Sequence, residues 1–151
     1  MRLCLFLIDH GAAVGTPASK MWGTPLQEAI EKANLNLINT LVEHRVDINA
    51  LSAKDCRVTA LQAAFIKGIF KLAVRLLERG ADVSVPAAPQ DSRIAIDGAA
   101  ERGRFDMVKL LLNAYACQGF ADADLEPVRR QAAGYAEKEG YFQIARWLCG
   151  D

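Results

Sequence analysis

The sequence predicts an all-α fold in which short helix-turn-helix pairs stack in a line. Three observations predict it. The chain repeats itself every 35 residues, each copy carries apolar residues at helical spacing, and each copy breaks in its middle at a small residue. In the first copy Gly23-Thr24-Pro25-Leu26-Gln27-Glu28-Ala29 leads to Leu37-Ile38-Asn39-Thr40-Leu41-Val42. In the second, Val58-Thr59-Ala60-Leu61-Gln62-Ala63-Ala64 leads to Leu72-Ala73-Val74-Arg75-Leu76-Leu77. In the third, Arg93-Ile94-Ala95-Ile96-Asp97-Gly98-Ala99 leads to Met107-Val108-Lys109-Leu110-Leu111-Leu112. A fourth copy runs from about Gln131 to Cys149, shifted by 37 residues. A half copy opens the chain, where Leu7-Ile8-Asp9-His10-Gly11-Ala12 matches Leu76-Leu77-Glu78-Arg79-Gly80-Ala81.

Helices are predicted at about 2–10, 25–32, 36–44, 60–67, 71–79, 94–102, 106–114, 129–139 and 142–149. Each copy places one Ala in register, at Ala29, Ala64, Ala99 and Ala136. Four residues later stands a turn residue: Ala33, Gly68, Gly103 or Gly140. A Gly there can close the first helix with a left-handed cap. A second helix then runs antiparallel to the first. The small Ala residues let helices approach closely. The apolar residues two places after the turn, Leu35, Phe70, Phe105 and Phe142, are expected to fill the space between copies. One copy cannot bury its apolar face alone, so the copies must stack.

The 151 residues suit one domain, which can bury roughly 70% of its unfolded surface without disulfides or metal. It divides into a half repeat 1–21, repeats 22–56, 57–91 and 92–127, and a polar capping repeat 128–151. The composition, 52% apolar and 24% charged, is that of a globular chain. Eighteen basic and 18 acidic residues give zero net charge, which argues against a dedicated nucleic-acid or anionic-membrane binder. With two His there is no multi-His metal site, and no P-loop, dinucleotide fingerprint or Gly-x-Ser-x-Gly is present. No metal or cofactor is expected. The apolar run Leu3 to Ile8 is too short for a secretory signal and far too short for a membrane span. Cys4 and Cys149 fall inside apolar helical patterns and are expected in the core, whereas Cys56 and Cys117 fall in loop-like stretches. No pair has zinc or redox spacing, so a reduced, cytoplasmic chain is expected.

Thr24-Pro25-Leu26-Gln27 resembles the Thr-Pro-Leu-His signature of the ankyrin repeat, and Leu76 to Ser84 is similar to the second-helix ending and hairpin of that family. The resemblance covers nearly the whole chain. It implies an ankyrin repeat solenoid of stacked helix-turn-helix pairs with extended finger loops. The signature His is replaced by Gln27, Gln62, Asp97 and Gly134. Gln can still donate and accept hydrogen bonds across the turn. The Ala/Pro-rich finger Ser84 to Gln90 resembles those of large fungal ankyrin arrays, and Asn113 to Pro127 departs furthest from the pattern. His10 and His44 sit where the family often places a cation near a helix C-terminus.

The resemblance implies a protein partner bound on the concave side, formed by finger tips and the exposed ends of the first helices. Carried over position by position, that strip includes Trp22, Arg57, Lys67, Arg93 and Arg102, with Trp22 the anchor. The alternative is a small-molecule binder or acid–base enzyme of isomerase or cyclase type in the same groove. There Asp97 and Glu101, four residues apart on one helix, would divide the acid and base roles. Leu5 and Phe6 are apolar where other copies are mixed, and they are expected to pack locally, to dock a missing element or to form a homodimer contact.

Overall fold

The structure is a computed structural model that describes residues 10–11, 24–44, 46–51, 58–86 and 93–150. Its described residues are all-helical outside the turns and loops, with eight helices: α1 Pro25–Glu31, α2 Leu35–Glu43, α3 Ala60–Lys67, α4 Phe70–Glu78, α5 Ala95–Glu101, α6 Phe105–Cys117, α7 Asp122–Lys138 and α8 Phe142–Cys149. The helix predicted at 2–10 lies outside the described residues but for its last position. Each odd-numbered helix packs on the even-numbered helix that follows it. The odd-numbered helices also pack on one another in sequence, α1 on α3, α3 on α5 and α5 on α7.

The four helix-to-helix turns are built alike. At Ala33, Gly68, Gly103 and Gly140 the backbone takes φ of 50, 75, 68 and 83°. The next amide in each case reaches back to the in-register Ala: Asn34 N to Ala29 O at 2.9 Å, Ile69 N to Ala64 O at 3.0 Å, Arg104 N to Ala99 O at 2.9 Å and Tyr141 N to Ala136 O at 2.8 Å. This six-to-one bond around a left-handed residue is the Schellman closure of a helix. It satisfies carbonyls that the helix end would otherwise leave bare. All four Ala are fully buried, as their register predicts. Ala33 alone carries a Cβ in this conformation. Ala33→Gly is therefore expected to stabilise the chain by about 0.5 kcal/mol, the relief of strain exceeding the added freedom of the unfolded chain. An unchanged or lower urea midpoint would count against that.

Gln27 and Gln62 open the first two pairs as expected, and their amides work in both directions. The Gln27 carbonyl accepts from Thr24 N at 2.7 Å, and its amide donates to Ala50 O at 2.8 Å and Val58 O at 2.9 Å. Gln62 likewise accepts from Thr59 N at 2.7 Å and donates to Val85 O at 2.9 Å. Each glutamine thus caps its own helix and ties down the loops that follow. The Thr24 and Thr59 hydroxyls complete both capping boxes. Further along, side-chain amides bridge the loops after the even-numbered helices. Asn49 contacts Gly80 O and Asp82 N, and Gln118 donates to Ala81 O at 2.8 Å.

Four expectations change. Leu35, Phe70 and Phe142 do not fill the space between copies: they are 55%, 43% and 61% exposed. Each is the first residue of its helix, so its side chain points back past the turn rather than into the stack. The core comes two to seven residues later, at Leu41, Val42, Leu76, Leu111 and Leu148 among others. Cys149 is exposed rather than buried, because it ends α8 away from the face that carries Ile144, Ala145 and Leu148. Cys117 closes α6 rather than sitting in a loop. That helix runs on because Tyr115 stands where Gly80 ends α4, and its left-handed stop comes only at Gly119. Finally, α7 begins at Asp122 and not near Arg129. Asp122 and Asp124 favour the helix N-terminus, Asp124 accepts from Ala121 N at 3.1 Å, and the buried Leu125 anchors the first turn. Pro127, which precedes the helix predicted at 129–139, is carried inside the helix.

Candidate functional surface

The side chains expected to carry function fall into three groups. Trp22, Arg57, Leu5 and Phe6 lie outside the described residues. Lys67, Arg93, Glu101 and Arg102 lie at the ends of the odd-numbered helices or just before them, at least partly open to solvent. The third group is Asp97 alone, which is fully buried.

The charges of the second group are arranged in pairs. Lys67 Nζ, at the end of α3, reaches Glu31, at the end of α1, at 3.0 Å. Arg93 lies 3.9 Å from Glu101. Exposed pairs of this kind contribute little to stability, between zero and about 1 kcal/mol. Their effect is on pattern: they bind the ends of neighbouring helices together and neutralise two carboxylates. Arg102, the residue after α5, is exposed. His44, which caps the end of α2 with its N–H on Thr40 O at 3.0 Å, is at the C-terminal position expected of it.

Asp97 is not a groove residue. Its Oδ2 accepts from Ile94 N at 2.9 Å and from Gln131 Nε2 at 2.7 Å. It is the counterpart of Gln27 and Gln62, with one inversion. The glutamines present an N–H donor to backbone carbonyls, Ala50 O and Val85 O in the loops that end their own repeats and, for Gln27, also Val58 O of the next. Here α7 starts early, so the next repeat offers a side-chain amide instead of a carbonyl. A donor on that side requires an acceptor on this one, and a carboxylate supplies it. The pairing of Asp97 with Glu101 across an open groove is therefore corrected. Asp97 is inside the stack, and the open end of the same helix carries only Glu101, which is engaged by Arg93.

Beside this joint lies a buried tyrosine that sequence reading did not single out. The Tyr115 hydroxyl donates to Val83 O at 2.9 Å, and its ring meets Phe120 edge-on at 5.1 Å. Burial pushes the phenol far above its ordinary value of 10.0, and the carboxylates of Asp97 and Asp82 push in the same direction. The folded chain thus holds this proton more tightly than the unfolded chain. Its contribution is complete below about pH 10 and is lost as pH rises beyond that. The urea midpoint should fall more steeply above pH 10 in the parent than in Tyr115→Phe. Parallel curves would show that the phenol carries none of the alkaline loss.

Two hollows border the turns. One, of about 420 Å³, is lined by Lys32, Ala33, Asn34, Leu35 and Asn36. The other, of about 490 Å³, lies between the Gly103 and Gly140 turns and is walled by Phe105, Tyr141 and Phe142. Asp97 borders neither. Among the described residues no three His, Cys, Asp or Glu side chains are placed to hold a metal ion, and no helix is long and apolar enough to cross a membrane. The chain matches no protein-family model, and no curated protein matches it significantly.

Proposed function

We propose that the chain is an ankyrin repeat protein-interaction module, which binds a protein partner along the finger tips and the open ends of its first helices. The observation that carries this reading is the fourfold recurrence of one turn, with the same left-handed residue and the same amide-to-alanine bond. The odd-numbered helices are stacked one on the next, so identical turns set their ends side by side as a row of exposed charged side chains. Such a row recognises a surface rather than a reacting atom. The burial of Asp97 inside the stack supports the binding reading over an acid–base one. A reduced, intracellular setting suits the thiols of Cys117 and Cys149, both free and exposed.

The test starts from a partner captured with the full chain from its native source and then titrated as a purified protein. Trp22→Ala should weaken binding by about 2 kcal/mol or more, the scale of an aromatic hot spot. Arg93 and Arg102 changed to Ala should act mainly on the association rate and its salt dependence. Asp97→Asn should leave affinity unchanged in folded protein. If the Trp22, Arg93 and Arg102 variants all bind as the parent does, the strip is not the contact surface and the reading fails.

A further inference from the structure

We draw no further inference here: the strongest candidate, the hollow between the Gly103 and Gly140 turns walled by Tyr141 and Phe142, carries nothing, because its third aromatic wall, Phe105, is already covered by Trp147 and Lys109 and nothing in the structure shows what covers the rest.

Discussion

Asp97→Ala is expected to destabilise the chain by about 3 kcal/mol in urea unfolding. The substitution removes a fully buried carboxylate and strips it from two part-buried donors, Ile94 N and Gln131 Nε2. A buried donor left bare costs about 1–3 kcal/mol, and bonds to a charged acceptor lie at the upper end. Asp97→Asn should cost only about 1 kcal/mol. Asn keeps an oxygen for Ile94 N, and Gln131 can rotate its amide to offer an oxygen to the new NH2. Removing both partners in Asp97→Ala with Gln131→Ala should cost less than the two single changes added together. If Asp97→Ala falls within about 0.5 kcal/mol of the parent, the joint does not contribute as described.

Phe65→Ala is expected to cost about 4 kcal/mol, within the usual range for emptying a buried aromatic site. Phe65 is fully buried in α3, the helix that packs on α1, α4 and α5 together. The cavity therefore opens where two repeats meet, and stacked repeats draw much of their stability from such meetings. Amide exchange should accelerate in α1 and α2 as well as in α3. Phe70→Ala, five residues on and 43% exposed, provides the contrast and should cost less than about 1 kcal/mol. Similar losses at the two positions would show that Phe70 is covered after all.

The helices were legible because the repeat sets the same requirement four times. Ala29, Ala64, Ala99 and Ala136 share a register, and a small or flexible residue follows each at the same distance, so the turns were readable to the residue. What was not legible depended on a neighbour in space. An aromatic at the first position of a helix looks like core in a one-dimensional pattern, yet the backbone aims it outward at Phe70 and Phe142. Pro127 marks a helix start when local preference is read alone, but the buried Leu125 and the acids at Asp122 and Asp124 carry the helix through it. Asp97 looked like chemistry because a carboxylate stands where the signature has a His, with Glu101 four residues later. Its meaning depended on Gln131, 34 residues away, which no local spacing connects to it. Gln131 did leave one trace: it stands in the alignment where Thr24 and Thr59 cap their helices.

The inverted bond between Asp97 and Gln131 also makes the repeats unequal as parts. In the earlier copies the glutamine amide donates to main-chain carbonyls, which every polypeptide possesses, mostly those of its own copy. A duplicate of the 57–91 repeat inserted after itself would bring the acceptor of its own glutamine with it, Val85 O. The last joint reads a side chain, and seated on a copy that presents Gln62 it would bring two amide donors face to face unless one turned over. The array is thus open to lengthening in its middle, while its final unit is keyed to a single predecessor. Gene duplication or protein engineering acting on this chain would meet that asymmetry as a rule of assembly: interior copies are interchangeable, and the terminal pair travels together.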